Sequence, residues 1–384
     1  MVTILPMCSL GRRLLWFRLP PCCAPLAPSH RPKSDSPRFP TQPRHLTVQS
    51  DADGLLGRAG AFLMSAYNRY LMVIVATIGL LALSDAVLLQ RSAIYLTPAI
   101  VADAVRGIAF GAMFFGLSKL LYLGMRRATG ALGDASARVS EGLESVGIFL
   151  MLFFVFSPAN ALYMFLAAAT QHPLMDGAMA AMDRSIGFNW PAVVEAANSS
   201  PLLASVLVAT YASVLYQVPL VLIFHASTSG RARFFEFAAT LVMDLFMTTT
   251  ISMLVPTAGA YSYYQLQASS YSHFTAIGGF AHLDTLHQLR SLAPYEFTMR
   301  KVIGLVSFPS FHTSLGILVV FALRRTFLFW PAVLVNVAMI AATVPEGGHH
   351  FMDVVVGAII AVVSISLIRW VGREAGTLRE LKSA

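Results

Sequence analysis

Long apolar runs, separated by short polar segments, make up most of the chain after residue 70. Eight of these runs approach the roughly 20 residues that a helix needs to cross a bilayer. They are 70–90, 105–124, 145–169, 201–225, 235–257, 311–324, 327–345 and 353–371. Apolar residues follow one another within each run instead of alternating, which is typical of helices and not of barrel strands. The pattern therefore predicts an all-α, polytopic transmembrane helix bundle with about eight spans.

The composition agrees with this prediction. Of the 384 residues, 56% are hydrophobic and only 12% are charged, whereas about 25% are charged in a typical soluble domain. The formal net charge of +8 is concentrated in residues 1–50, which hold seven basic residues and one acidic residue. No basic, aromatic-rich surface of the kind that follows a phosphate backbone is predicted elsewhere. We therefore expect a protein of the bilayer, without a nucleic-acid partner.

The first 65 residues differ from the rest of the chain. Residues 1–50 contain nine of the twenty prolines and all three cysteines. Proline breaks helices and removes main-chain donors, so we predict a disordered, basic, Pro/Arg-rich extension over 1–65. An organelle transit peptide is the alternative, because the segment is rich in Arg and poor in acidic residues. Since no cysteine follows residue 23, the membrane part offers no disulfide and no thiolate metal site.

Basic residues predict the orientation of the bundle. If eight spans are correct, four basic groups lie on one side, at 126–138, 231–233, 324–325 and 369–382. Because positive loops remain in the cytoplasm, both termini are predicted to be cytoplasmic. The loops at 170–200, 258–310 and 346–352 would then face the extracytoplasmic side, either periplasmic or lumenal.

Two polar motifs stand out from the hydrophobic background. One is FPSFHT at 308–313, and the other is EGGHHFMD at 346–353. Each precedes a predicted span on the same side, and the chain between them is a helical hairpin. His312 and His349 can therefore come together although 37 residues separate them.

These motifs contain the groups that phosphate-ester chemistry needs. His349 and Asp353 are four residues apart, so a helix places them on one face, where the carboxylate can fix the tautomer of the imidazole. The other ring nitrogen would then be a nucleophile, and His312 could give a proton to the leaving oxygen. Ser310 and the free main-chain N–H groups of its helix could hold an anion, and Gly347 and Gly348 would let the backbone approach it. Taken singly, an interfacial histidine is usually a polar anchor and a first-turn aspartate is often a cap.

FPSFHT and GGHHFMDVVVG resemble the second and third signature motifs of the type 2 phosphatidic acid phosphatase superfamily. More narrowly, they resemble the branch that contains the inositol phosphorylceramide synthases, whose motifs are often written GxxxFPSxH and GGHYxxD. The stretches IGFNWPAVV (186–194) and VPTAGAY (255–261) are also similar to that branch. The resemblance covers about residues 140–370.

The resemblance implies a phosphotransfer site on a six-helix core. His349 would be the nucleophile that forms a phosphohistidine, Asp353 would orient it, and His312 would be the acid. It also implies a domain at 140–372, preceded by two additional transmembrane helices at 66–139 and followed by a cytoplasmic tail at 373–384. We expect no cofactor and no metal in this scheme.

The motifs also depart from those of the phosphatases. A Lys-x6-Arg-Pro motif is missing, and Thr343 stands where phosphatases carry an arginine. Both losses occur in the phosphotransferase branch, and they leave open which cations hold the phosphate. We predict that Arg290 has this role, ahead of the Arg300–Lys301 pair. An ordinary solvent-exposed loop position is an equally good interpretation for that pair. His350 occupies the position of the branch's tyrosine and is either a second imidazole of the site or faces away from it.

We therefore predict a membrane lipid phosphotransferase with a phospholipid donor and a lipid alcohol acceptor. Phosphatidylinositol as donor and ceramide or a diacylglycerol as acceptor follow from the resemblance. One alternative is a phosphatase that hydrolyses phosphatidate or isoprenyl phosphates. The alternative of another class is a proton-coupled transporter, which would use the intramembrane carboxylate of Asp244. Asp244 can also bind a headgroup or hydrogen-bond a neighbouring helix, and the oligomeric state is left open.

Overall fold

The structure of the chain, a computed structural model, describes residues 65–228, 230–267, 271, 273 and 277–383. The extension predicted at 1–65 lies outside the described residues except for Ser65, which caps the first helix. The hydroxyl of Ser65 accepts a hydrogen bond from the N–H of Asn68, 3.2 Å away. The part of the chain that is described thus begins at a helix start.

Helices dominate the described residues. They are α1 (Ala66–Leu89), α2 (Ala99–Met125), α3 (Gly130–Ala168), α4 (Asp176–Ser185), α5 (Trp190–Asn198), α6 (Pro201–Ala212), α7 (Val214–Thr228), α8 (Gly230–Leu254), α9 (Ala260–Tyr263), α10 (Ile277–Phe280), α11 (Leu283–Arg290), α12 (Phe311–Ala322), α13 (Phe329–Ala342) and α14 (Phe351–Ser383). Two short strands, β1 (Ile94–Leu96) and β2 (Tyr295–Phe297), pair in parallel. The prediction of an all-α polytopic bundle is confirmed.

Five helices, α1, α2, α3, α8 and α14, are long and apolar enough to cross a membrane. The bent pair α5 and α6, with 107° between its halves, would make a sixth, and α7, α12 and α13 are shorter apolar helices. The run predicted as one span at 201–225 is divided at Ser213, whose hydroxyl donates to the carbonyl of Thr210. Such local bonds compete with the helical ladder. The number of eight spans remains a prediction.

The core of the bundle surrounds α8. Buried side chains of α8, among them Phe234, Phe235 and Leu241, join one apolar cluster with residues of α1, α3, α7, α12 and α14. The first helix belongs to this core, since α1 contacts α3, α8 and α14, whereas α2 contacts chiefly α3. A Cβ on Gly111 of α2 would lie 2.7 Å from the main-chain nitrogen of Met151, so small residues set this close crossing.

Arginine side chains join helix ends at one end of the bundle. Arg324, just after α12, donates to both carboxylate oxygens of Glu236 near the start of α8, at 2.7 Å each. Arg69, in the first turn of α1, donates to the carbonyl of Gly372 in the last helix at 2.7 Å. These contacts hold together the helix ends that lie farthest from the two histidine motifs. The motifs therefore occupy the opposite end of α12 and α14.

Candidate active site

A main-chain hydrogen bond and close packing join the starts of α12 and α14, which brings the two motifs together. Ser310 is the N-cap of α12, and its hydroxyl accepts hydrogen bonds from the N–H and the hydroxyl of Thr313, at 3.4 and 3.1 Å. The N–H of Ser310 donates to the carbonyl of Asp353 at 3.0 Å. A Cβ on Gly357 would lie 2.3 Å from the Ser310 carbonyl oxygen, so only glycine permits this approach of the helices. Ser310 itself is fully buried and lies beside the cavity described below, not among its lining residues.

His349 lies in the loop before α14, with its tautomer fixed by a main-chain group. Its Nδ1 is 2.6 Å from the carbonyl oxygen of Ser307. A carbonyl only accepts hydrogen bonds, so Nδ1 carries the proton and Nε2 keeps its lone pair. The nearer oxygen of Asp353 is 3.3 Å from the same Nδ1, and the Asp353 side chain also accepts from the N–H of His350 at 2.9 Å. The sequence indicated Asp353 as the orienting group and missed Ser307, because a main-chain acceptor leaves no signal in a sequence.

The imidazole of His349 is held neutral. Burial lowers its pKa to about 4, the hydrogen bond to the Ser307 carbonyl opposes this change, and the neighbouring His350 adds to it. The indole of Trp190 donates to the carbonyl of His349 at 2.8 Å and fixes the backbone of the loop. At neutral pH, Nε2 of His349 is therefore unprotonated, and the ring is held in a fixed orientation.

His312 faces His349 across a shared cavity. The two ring centroids are 6.4 Å apart and the ring planes meet at 60°. The other side of His312 stacks on Tyr211 of α6, with 4.4 Å between centroids. The cavity has a volume of about 230 Å³ and is lined by Tyr211, Gly278, Ala281, His282, Ile303, Gly304, Val306, Ser307, His312, Gly347 and His349. The structure thus places two imidazoles around a space that accommodates a phosphate group.

The two glycines before His349 have different surroundings. Gly347 lines the cavity, and a Cβ there would lie 2.9 Å from Cδ2 of His349. Gly348 has a positive φ of 68°, which glycine adopts without strain. Its carbonyl accepts from the N–H of Ala260 at 2.8 Å, and a Cβ on it would lie 2.8 Å from Cα of Gly279. Gly348, predicted to bind phosphate, therefore forms the turn behind the cavity, while its neighbour Gly347 reaches the cavity.

A buried acidic cluster supports the loop from behind. Asp183 of α4 accepts the N–H groups of Phe351 and Met352, at 3.0 Å each, and so caps α14 from outside the helix. Asp176, at the start of the same α4, accepts the N–H groups of Ala258 and Gly259 at 2.9 and 2.8 Å. The cluster pins the turn of α14 against α4. It was missed in the sequence because Asp176 lies 82 and 83 positions, and Asp183 lies 168 and 169 positions, from the groups that they bind.

His350 points toward this cluster and not into the cavity. Its Nε2 is 3.6 Å from Asp176 and its Nδ1 is 3.6 Å from Asp183. Burial lowers the pKa of His350, but the carboxylates of Asp176, Asp353 and Asp183 outweigh burial and raise it overall. The imidazole thus lies between buried carboxylates that favour its protonated form. Of the two readings of the sequence, the one in which His350 faces away agrees with this geometry.

The structure does not bring the predicted cation to the cavity. Arg290, at the end of α11, donates to the carbonyls of Thr170 and His172, at 2.7 Å each, and so ties the loop after α3 to α11. Arg290 is not among the cavity-lining residues, and none of the described lining residues is Lys or Arg. The sequence shows a positive charge in the right loop, but it does not show where the side chain turns.

Asp244 lies behind α12. It is fully buried in α8 and accepts a hydrogen bond from the hydroxyl of Ser314, two residues beyond His312. Asp244 does not line the cavity. The structure thus places it where it joins α8 to the helix of His312, consistent with a packing role.

A third histidine, His282, lines the same cavity and was not found from the sequence. It is 3% exposed, and its Nε2 lies 2.9 Å from the carbonyl of Ala258 and 3.3 Å from the hydroxyl of Ser307. Burial lowers its pKa. His282 lies in a loop without a motif or a periodic pattern, so only its position in space indicates a role.

The five or six helices able to cross a membrane define the class of an integral membrane protein, and two imidazoles face one cavity at one end of its bundle. Residues 177–367 match the family model of the PAP2 superfamily. The match includes both histidine motifs and covers almost half of the chain. Searches among curated proteins and among solved structures found no match. The superfamily supports a phosphatase- or phosphotransferase-type lipid enzyme.

Proposed function

We propose that this protein is a membrane lipid phosphotransferase that works through a phosphohistidine on His349. The observation that carries the proposal is the hydrogen bond from Nδ1 of His349 to the Ser307 carbonyl, which leaves Nε2 as a nucleophile beside a cavity shared with His312. A positioned nucleophile and a second imidazole are the two groups that a two-step transfer needs.

The proposed reaction has two steps, transfer of the phosphoryl group to His349 and then to the acceptor. In the first, His312 enters as an imidazolium, a form that the negative charge of the bound phosphodiester favours. Nε2 of His349 attacks phosphorus, the N–P bond forms, and the bond to the leaving lipid oxygen breaks as His312 gives that oxygen its proton. In the second, the hydroxyl of the acceptor attacks phosphorus and gives its proton to His312, and the N–P bond breaks. Both imidazoles return to their starting protonation states, so no co-reactant is consumed.

The charge of the cavity favours a phosphodiester substrate over a phosphomonoester. A monoester carries almost two negative charges at neutral pH, and a diester carries one. Because the described lining holds no Lys or Arg, it fits the single charge better. A diester donor also makes transfer more natural than hydrolysis, since the headgroup stays attached to phosphorus. Phosphatidylinositol as donor and ceramide or a diacylglycerol as acceptor remain the substrates that the sequence resemblance suggests.

The surroundings of the site support a lipid substrate. A groove of about 530 Å³, lined almost entirely by apolar atoms, runs along α12 and α14. It begins at Thr313, next to His312, and at Val354, next to Asp353. Hydrocarbon chains in this groove would place an attached phosphate near the level of the two histidines.

Hydrolysis of a lipid phosphate is the second candidate, favoured by the superfamily match. The same two histidines would act, with water in place of the lipid alcohol. Transport is less well supported, because Asp244 is bonded to Ser314 and lies away from the cavity.

We also propose the orientation that the basic residues predicted. The histidines lie at the end of α12 and α14 opposite Arg324 and the Arg69–Gly372 contact. Positive residues remain on the cytoplasmic side. The active site would then open on the extracytoplasmic side, and both termini would be cytoplasmic.

The test uses purified full-length protein with phosphatidylinositol that carries a label in its headgroup phosphate. A labelled lipid product that requires ceramide or diacylglycerol supports transfer, and labelled inositol phosphate without an acceptor indicates hydrolysis. His349→Ala should abolish either product, and wild-type protein quenched during turnover should carry an acid-labile, alkali-stable label. His287→Ala, an exposed histidine at the end of α11, is the matched control. Full activity of His349→Ala would overturn the proposal.

A further inference from the structure

We infer that Ser307 is a further substrate-binding residue, whose hydroxyl donates to a phosphate oxygen and is positioned by His282. The inference rests on the proposed function, since it concerns the phosphate that His349 would attack. Neither of the two sequence motifs predicts this donor, Ser307, or the residue that positions it, His282.

The direction of the hydrogen bonds carries the argument. Nε2 of His282 is 2.9 Å from the carbonyl of Ala258, which can only accept, so Nε2 must carry a hydrogen. The same nitrogen is 3.3 Å from the hydroxyl oxygen of Ser307. Since Nε2 is the donor, the Ser307 oxygen is an acceptor in this contact. The hydroxyl hydrogen of Ser307 is thereby left to point elsewhere, and Ser307 lines the cavity.

Ser307 therefore has two separate tasks. Its carbonyl accepts the Nδ1 proton of His349, and by our inference its hydroxyl, on a residue that lines the cavity, donates to the phosphate. The side chain is 5% exposed and confined, because a Cβ on Gly259 would lie only 3.2 Å from its oxygen. A buried and confined donor needs little reorganisation when an anion binds, which is the property of an oxyanion-stabilising group.

This donor is important because no Lys or Arg is among the described residues that line the cavity. The predicted arginine, Arg290, is bonded to two loop carbonyls, and the described lining contains no Lys or Arg. Neutral donors must then hold the phosphate oxygens, together with the imidazoles. Ser310, the serine of the sequence motif, is not among the residues that line the cavity, whereas Ser307 is.

The experiment measures binding of vanadate, an analogue of the phosphoryl transition state, by the shift in thermal unfolding of the full-length protein. This readout does not require the lipid substrates. Ser307→Ala removes the hydroxyl and keeps the carbonyl that holds His349, so we expect vanadate to bind about 10- to 100-fold more weakly. Ser185→Ala, the same change at an exposed serine in the last turn of α4, should bind vanadate as the wild type does.

Two further variants separate binding from folding. Ser307→Cys keeps a weaker donor and should give an intermediate affinity. His282→Gln can still donate to Ala258 and should bind vanadate better than His282→Ala, which cannot position the hydroxyl. Wild-type affinity in Ser307→Ala would overturn the inference. If wild-type protein binds vanadate but transfers and hydrolyses no lipid phosphate, the proposed function fails while the role of Ser307 is still tested.

Discussion

The carbonyl oxygen of Ser307 lies 2.6 Å from Nδ1 of His349 and accepts its proton. This single contact joins the loop before α12 to the loop before α14. It also takes over the task that triad chemistry usually gives to a carboxylate, namely fixing the tautomer of the nucleophilic imidazole. The carboxylate of Asp353, at 3.3 Å, is the weaker of the two partners.

Asp353→Asn should therefore be milder than the loss of a triad aspartate. The asparagine oxygen can still accept from the N–H of His350, and the Ser307 carbonyl still holds Nδ1 of His349. We expect kcat to fall by about 10- to 100-fold, as for an outer partner of an active-site histidine. His349→Gln, assayed in parallel, should leave no measurable turnover. Equal inactivation of the two variants, with both correctly folded, would show that Asp353 and not Ser307 sets the tautomer.

The enzyme should keep its activity at acidic pH, until the pH approaches the lowered pKa of His349. Protonation of Nε2 removes the lone pair of His349, so kcat/KM falls as the pH falls through the pKa of this residue. Burial lowers that pKa from 6.5 to about 4. The acidic limb of the kcat/KM profile should therefore lie near pH 4, measured with a soluble short-chain substrate. An acidic limb near pH 6.5 would mean that His349 is solvated and not buried.

His350 should stabilise the protein most at acidic pH. Burial is the largest single influence on the pKa of His350, and it lowers that pKa. The carboxylates of Asp176, Asp353 and Asp183 together outweigh burial, so the pKa is raised in the folded state. A raised histidine pKa gives stability that is complete below the unfolded pKa and is lost as pH rises through the folded one. The difference in unfolding temperature between wild type and His350→Gln should thus shrink above pH 6.5. His287→Gln is the control, and a difference that grows with pH would contradict the assignment.

Asp183→Ala should loosen the start of α14. The fully buried carboxylate accepts two main-chain N–H groups, from Phe351 and Met352, and its removal leaves both without their acceptor. We expect a loss of about 1–3 kcal/mol in the free energy of unfolding, together with reduced kcat, because His349 directly precedes these residues. Thermal unfolding and hydrogen exchange at residues 349–353 measure the two effects. Asp284→Ala, exposed in the first turn of α11, should change neither, and protection equal to wild type in Asp183→Ala would refute the capping role.

Arg290→Gln should affect stability more than substrate binding. Both terminal nitrogens of Arg290 donate to the carbonyls of Thr170 and His172, and the residue does not line the cavity. We expect KM and vanadate affinity to change less than about threefold, while the unfolding temperature falls because two charge-assisted hydrogen bonds are lost. A rise in KM of tenfold or more at unchanged stability would restore the role that the sequence predicted for this arginine.

The fold was largely predictable from the sequence because the hydrophobic runs are long. The first run, predicted at 70–90, is α1 at Ala66–Leu89, and the last, predicted at 353–371, begins α14 at Phe351. The run at 201–225 was wrong as a single helix, since α6 ends at Ala212 and α7 begins at Val214. Hydropathy averages over a window and does not register a local bond such as that of the Ser213 hydroxyl.

Within the site, the sequence predicted contacts between residues that are close along the chain, but not contacts between distant segments. The spacing of His349 and Asp353 places both groups at the start of one helix, and the hairpin of α12 and α13 makes an approach to His312 possible. The partners that define the chemistry come from elsewhere: the carbonyl of Ser307, the imidazole of His282 and the carboxylate of Asp183. Arg290 lies in the predicted loop, but its side chain donates to the main-chain carbonyl of Thr170.

The membrane class, the helical architecture and the pair of motif histidines all follow from the amino-acid order alone. These features depend on hydrophobic length and on spacing along one helix, both of which are local along the chain. The tertiary structure decided which nitrogen of His349 is free, which residues line the cavity and which charges are already occupied. Those properties depend on main-chain carbonyls and on side-chain directions, and only the packing of distant segments fixes them.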